Sequence, residues 1–163
     1  MKIHRLKTGD EEAAIEAIRD LKPSEERSGQ NASIEHMKLL LTSEENYLYI
    51  AYVNTVPVGF LLAYSFPRID RDQNMIYLYE IDVIPKYRRQ GIGSQMIQRL
   101  KNECRCNNVM KVWVGTENDN IAARALYEST GAKCQGKNCI EFVYDDFKNT
   151  EQIVSPDART SRR

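Results

Sequence analysis

Met75-Ile76-Tyr77-Leu78-Tyr79-Glu80-Ile81-Asp82-Val83-Ile84, then Pro85-Lys86-Tyr87, then Arg88-Arg89-Gln90-Gly91-Ile92-Gly93-Ser94 follow one another in the middle of the chain. The first run is rich in β-branched and aromatic residues and reads as the longest strand, which Pro85 ends. From Gly91 the apolar period becomes helical, with Ile92, Met96, Ile97, Leu100 and Cys104 on one face. The stretch is therefore strand, glycine turn, helix. A helix start exposes unpaired backbone N–H groups and a partial positive charge. Gly91 and Gly93 lack a Cβ and allow a ligand to approach that backbone. Arg88 and Arg89 beside the same helix start are unfavourable alone and complementary to a bound pyrophosphate.

Upstream, residues 2–6 read as a short strand. Thr8-Gly9-Asp10-Glu11 has the spacing of a capping box ahead of Ala14, Ile18 and Leu21 at helical intervals. Residues 22–32 read as a loop, and Ser33 as the cap of a second helix carrying Ile34, Met37, Leu40 and Leu41. Residues 47–53 and 57–66 read as strands joined by a hairpin turn at Asn54-Thr55-Val56, and residues 67–74 as a polar loop. Downstream, residues 109–114 read as a strand. Residues 120–130 read as a helix with Asn118 or Asn120 at its start and Gly131 as its stop. Residues 139–144 read as a last strand. Residues 148–163 are polar and read as a flexible tail. Strands and helices alternate only in the second half. The expectation is an α/β domain over residues 1–147: a mixed, mostly antiparallel sheet with helices on both faces.

Composition narrows the function. The 163 residues suit one domain, and 42% apolar with 28% charged residues is an ordinary globular mix. Lys+Arg and Asp+Glu are both 23, so the basic excess of a nucleic-acid binder is missing. There is no apolar run of the ~20 residues a membrane span needs. The opening MKIHRLKTGDEE turns acidic where a secretory signal turns apolar, so a cytoplasmic protein is expected. Cys104, Cys106, Cys134 and Cys139 read as free thiols. Their C-x-C and C-x4-C spacing is poor for zinc, and a helix would point Cys104 and Cys106 apart, so no metal is expected.

The glycine element itself admits several readings. A P-loop places Lys after its last Gly, whereas Ser94-Gln95 stands here. A dinucleotide fingerprint needs a third small residue and a first-strand position; residue 96 is Met and the strand is a late one. A plain left-handed turn with solvated arginines is the bland reading.

With Arg88, Gly91 and Gly93, the sequence resembles the GNAT superfamily of N-acetyltransferases, whose acetyl-CoA motif is Arg/Gln-x-x-Gly-x-Gly/Ala. The resemblance continues through Asn120-Ile121-Ala122-Ala123-Arg124-Ala125-Leu126-Tyr127-Glu128-Ser129-Thr130-Gly131 and covers roughly residues 47–147. It implies that backbone groups of Ile81, Asp82 and Val83, and of the element Arg88, Arg89, Gln90, Gly91, Ile92, Gly93 and Ser94, hold the pantetheine and pyrophosphate of acetyl-CoA. It also implies that Asn120 contacts the pantetheine arm. Within the superfamily, residues 76–83 and 88–91, with Leu62-Ala63-Tyr64-Ser65-Phe66-Pro67, look most like the type I aminoglycoside 3-N-acetyltransferases. Many of those carry Asp where Glu80 stands.

The residues suit the chemistry so implied. An alkyl amine must lose a proton before it attacks a thioester, and Glu80, mid-strand among apolar neighbours, is placed to act as base. Asp82 shares its face and can help hold a cationic amine. Tyr127 can return a proton to the departing thiolate, or be an ordinary core tyrosine. A backbone N–H near Val83 can stabilise an oxyanion. Asp145 and Asp146, with Glu141, Asp70 and Asp72, are further acids for a polycationic acceptor or plain solvated surface. The expected reaction transfers acetyl from acetyl-CoA to an amino sugar, with a small-molecule amine as partner and a homodimer as a general expectation. A different amine, or a non-catalytic acyl-CoA-binding module, fits the glycine element equally well.

Overall fold

The computed structural model describes residues 1–22 and 32–134. Its elements are β1 (Lys2–Leu6), α1 (Glu11–Leu21), α2 (Ile34–Thr42), β2 (Asn46–Val53), β3 (Val56–Pro67), β4 (Asn74–Val83), α3 (Ile92–Cys106), β5 (Val109–Trp113) and α4 (Ile121–Ser129). A single 3-10 turn, Pro85–Tyr87, leads from β4 toward α3. The strands form one sheet in chain order, β1-β2-β3-β4-β5. The first four are antiparallel, and β5 is parallel to β4. That parallel pair needs a crossover, which α3 supplies. The strand expected at 139–144, the loop expected over most of 22–32, the polar tail and the boundary at residue 147 lie outside the described residues.

Alternation along the strands divides the core in two. Tyr47, Tyr49 and Ala51 of β2 meet Val58, Leu61, Ile76 and the Ile92, Met96, Ile97, Leu100 face of α3. Leu48 and Ile50, on the opposite face, meet Phe60, α1 through Ala14, Ala17 and Leu21, and α2 through Met37 and Leu41. Helices thus cover both faces of a mixed, mostly antiparallel sheet. Arg5 ties the β1 edge to α3: its guanidinium pairs with Glu103 at 2.5 Å and lies 4.1 Å from the Tyr47 ring centroid. Among the described residues no helix is long and apolar enough to cross a membrane.

The helix signals are met in part. Ser33 caps α2, its Oγ accepting from the His36 N–H at 3.1 Å. Gly131 (φ +91°) ends α4. Its N–H reaches the Glu128 carbonyl while the Ala132 N–H reaches that of Tyr127, the paired bonds of a Schellman stop. The capping box is displaced. Asp10, not Thr8, is the N-cap of α1, and Glu11 accepts from the Gly9 N–H at 3.0 Å. The Thr8 hydroxyl instead donates to the Leu41 carbonyl at the end of α2. Cys104 is buried on the core side of α3, which pushes its thiol up to about 11, while Cys106 is exposed.

Candidate active site

β4 is paired on one side along its length and on the other side only at its start. Its register with β3 runs to Gly59↔Val83, whereas its register with β5 ends at Tyr77↔Trp113. Among the described residues, nothing continues the sheet beside Leu78–Val83 on the β5 side. The Ile84 N–H donates to the Val58 carbonyl of β3 at 3.0 Å. Main-chain groups of a strand alternate in direction, so those of Val83 and Ile81 face the open side. The Val83 carbonyl agrees: it accepts from Arg88 Nε at 2.6 Å, away from β3.

A bulge sets which side chains face which layer. Leu62 pairs with Glu80 and Ala63 with Leu78, leaving Tyr79 as the extra residue. Before the bulge, Ile76 and Leu78 enter the α3 core; after it, Ile81 and Val83 do. Glu80 and Asp82 are thereby turned to the α1/α2 face, alongside Leu62 and Phe60. A straight strand would have pointed both acids at α3.

The start of α3 is open to an anion. Gly91 is its N-cap with φ +77°, no side chain caps it, and its first turn holds no acidic residue. Arg89, two residues earlier, is also left-handed at φ +62°. Left-handed residues interleaved with others turn successive N–H groups into one concavity. A Cβ on Gly91 would meet nothing nearer than Gln95 Nε2 at 3.8 Å, so the space before the helix is clear. Gly93 has a different reason to be glycine. Its Cβ would stand 3.1 Å from the Leu126 side chain, so it lets α4 pack closely on α3 rather than opening a path to a ligand. The Ile92 side chain is core, leaving only its backbone for binding. Ser94 lies in the first turn of α3, and Gln90 donates to the Lys86 carbonyl at 3.3 Å. Arg88 is held between the Val83 carbonyl and Asp82 Oδ1, the latter at 3.0 Å. Arg89 is exposed and has no ion-pair partner among the described residues.

Glu80 is not a lone desolvated carboxylate. Lys22, at the end of α1, places Nζ 2.7 and 2.8 Å from its two oxygens and 5.3 Å from the Phe60 ring centroid. The pair is about a third exposed, so water reaches it. Carboxylate plus aromatic ring is the environment a primary alkylammonium favours. Lys22 therefore occupies the kind of site that an amine acceptor would need at Glu80. Asp82 faces the same layer and is engaged with Arg88. Asp70 is saturated inside its loop by Arg68 and Arg71, with the Arg68 hydrogen bond holding its carboxyl down to about 2. Asp72 is exposed, and Glu141, Asp145 and Asp146 lie outside the described residues.

Tyr127 is half-buried in α4 against the α3-side core. Burial, with a smaller contribution from Tyr77, raises its phenol above the usual range, so it holds its proton at neutral pH. Asn120 is the N-cap of α4, its Oδ1 accepting from the Ala123 N–H at 3.0 Å. Its amide N–H groups keep their capacity to donate.

The chain has known relatives. The profile of the acetyltransferase (GNAT) family matches residues 13–132, from α1 past the stop of α4. The chain belongs to the GNAT acetyltransferase family. It is 34% identical over 73 residues to the ribosomal protein bS18-alanine N-acetyltransferase of Escherichia coli (strain K12), a stretch covering 45% of this chain and 48% of that one. The chain thus spans about half the length of that curated relative. It is 26% identical over 133 residues to an uncharacterized N-acetyltransferase, YhfO, of Bacillus subtilis (strain 168), covering 80% and 89% of the two chains. Among solved structures it resembles an aminoglycoside acetyltransferase from an uncultured soil metagenomic sample, in complex with sisomicin. There the TM-score is 0.76, the identity 24%, and the coverage 88% of this chain and 95% of that one. That last likeness is one of fold.

Within this GNAT domain the residues marked from sequence on β4 and at the start of α3 fall into two groups. Ile81, Val83, Arg88, Arg89, Gln90, Gly91, Ile92, Gly93 and Ser94 come together where the open edge of β4 meets α3, with Asp82 bound in through Arg88. Glu80 stands apart with Lys22 on the α1/α2 face. Sequence reasoning passed over Lys22 because it is 58 residues from Glu80. Its only local signal was a Lys just after the last buried turn of a helix.

Proposed function

We propose that the protein is an acetyl-CoA-dependent N-acetyltransferase that acetylates a primary amine by direct attack in a ternary complex. The acceptor we propose is an aminoglycoside-type amino sugar, at its 3-amino group. One observation carries the reading: a single strand, β4, leads from a carboxylate that holds an alkylammonium to an open main-chain edge and an uncapped helix start. The residues fit acetyl-CoA at that helix start, because Gly91 leaves space and unpaired N–H groups where phosphates need them. Acetyl-CoA supplies a thioester carbon ready for attack.

The remaining steps fall to the chain's own groups. Glu80 takes the proton of the bound ammonium, directly or through water, and leaves a neutral amine. The Val83 N–H, on the open side of β4, is directed to donate to the carbonyl oxygen as charge grows on it. The new N–C bond forms as the C–S bond breaks; the nitrogen gives up its second proton to water, and Tyr127, kept protonated by burial and reprotonated from water afterwards, donates a proton to the thiolate sulfur. Membership of the GNAT family supports the acetyl transfer. The shared fold of an aminoglycoside acetyltransferase supports the acceptor class.

A second reading, an acceptor that is a protein N-terminal amine, is favoured by the 34% identity to the ribosomal-protein relative. Thiol release from acetyl-CoA separates the two, measured with a multi-ring amino sugar, spermidine and an Ala-initiated peptide. The expected result is the highest kcat/KM for the amino sugar, an advantage that shrinks as salt rises. NMR of the product is expected to show the acetyl group on the 3-amino nitrogen. Acetylation of the peptide alone would establish the second reading, and no thiol release with any amine would leave an acyl-CoA-binding module.

A further inference from the structure

The sheet face that carries Glu80 does not end at Glu80. Its first neighbour, Tyr64, has its phenol raised by burial first and then by the proximity of Tyr79 and Glu80. From there the rings run in sequence. Tyr64 and Tyr79 have centroids 5.7 Å apart at 74°, and Tyr79 and Tyr77 6.2 Å apart at 78°. Tyr77 and Trp113 are 5.3 Å apart at 33°, and Trp113 and Phe66 6.2 Å apart at 39°. Three strands contribute: β3 by Tyr64 and Phe66, β4 by Tyr77 and Tyr79, β5 by Trp113. The registers Tyr64↔Tyr77 and Tyr77↔Trp113 put them side by side.

This row is not core. The hydrophobic cluster under α1 and α2 uses Leu48, Ile50 and Phe60 and stops short of it. Tyr79 is 60% exposed, Phe66 48% and Trp113 38%. Three of these five rings are exposed and Tyr64 and Tyr77 are half-buried, and the five form one patch that starts beside the carboxylate binding an ammonium.

We propose that the aromatic row is the outer wall of the acceptor site and selects a multi-ring amino sugar. The inference rests on the proposed role of Glu80 as the acceptor's anchor. With the reacting amine at Glu80, the rest of the acceptor lies along the row. Aromatic faces attract ammonium groups, and they also stack against the flat C–H faces of a saturated sugar ring. A multi-ring amino sugar offers both. A linear polyamine offers charge without a flat apolar face, and a peptide N-terminus offers a single ammonium. The successive edge and tilted geometries present both ring faces and ring edges, which suits an acceptor with groups of both kinds.

Trp113 is the only tryptophan of the chain, so its emission reports on the row without any need for turnover. Titrating a multi-ring amino sugar into the protein should change that emission, with a midpoint that tracks the KM. Tyr79→Ala should raise KM for that sugar about tenfold with kcat within about twofold, the size expected of a partly exposed cation–π and stacking contact. Tyr79→Phe should restore it. A small monoamine that reaches only Glu80 should react equally well with both variants and the parent. Both substitutions lie at an exposed position, and a thermal melt confirms folding. An unchanged KM for the amino sugar in folded Tyr79→Ala would overturn the proposal, as would an equal loss for the monoamine. A Trp113 signal without any thiol release would instead overturn the acetyl-transfer reading and leave the row as a binding surface for amino sugars.

Discussion

At the α3 end of β4 the groups proposed to bind are main-chain atoms: the N–H groups of an uncapped helix start, the left-handed backbone at Arg89 and Gly91, and the edge at Ile81 and Val83 that no strand pairs among the described residues. At the Glu80 end they are side chains brought in from elsewhere: Lys22 from α1, Phe60 and Tyr64 from β3, and Trp113 from β5. The first end is fixed by a few local glycine and turn choices. The second can be changed residue by residue without disturbing the backbone.

The largest expected effect tests whether the two ends separate. Glu80→Gln keeps the shape and removes the base, and is expected to lower kcat by roughly 10²–10⁴ with acetyl-CoA affinity unchanged. A parallel loss of affinity in calorimetry would join what the account divides. Next is Tyr127→Phe. A roughly tenfold fall in kcat is expected, at the low side of general-acid contributions because a thiolate already leaves readily. Burial raises the Tyr127 phenol, so its acid form persists beyond its usual range near pH 10. The pH profile of kcat should therefore show no loss from this group at neutral or mildly alkaline pH, and an alkaline fall near pH 8 abolished by Tyr127→Phe would contradict the raised phenol.

A smaller effect sharpens the acceptor end. Lys22→Met keeps the stem on Phe60 and releases Glu80. The Lys22–Glu80 pair is partly exposed, so its removal is expected to lower KM for a cationic acceptor by no more than about fivefold. The gain should fade at high salt. A raised KM would show that Lys22 helps to hold the acceptor instead of standing in its place.

The same division explains what could be read in advance. Ser33, Pro85, Gly91 and Gly131 act within a turn of where they stand, so α2, the end of β4, the start of α3 and the stop of α4 were visible in the string. The β-branched and aromatic enrichment of residues 47–53 and 57–66, with Asn54-Thr55-Val56 between them, marked the hairpin. The bulge at Tyr79 was not visible, because an extra residue in one strand has meaning only against its partner. It decides which face Glu80 and Asp82 occupy. Lys22 and Trp113 were hidden for the same reason: their significance lies in partners 58 and 36 residues away. The missing Cβ of Gly93 reads from sequence as room for a ligand, whereas its space is taken by Leu126, a helix contact that no local pattern announces.

The most direct test of the central claim is a pair of calorimetric titrations with acetyl-CoA, on Gly91→Asp and on Glu80→Gln. Gly91→Asp puts a carboxylate into the clear space before α3, where a pyrophosphate would sit. Its affinity is expected to fall by about 100-fold or more, equivalent to some 2.7 kcal/mol, while Glu80→Gln binds as the parent does. Parent-like binding by a folded Gly91→Asp variant would contradict the central claim.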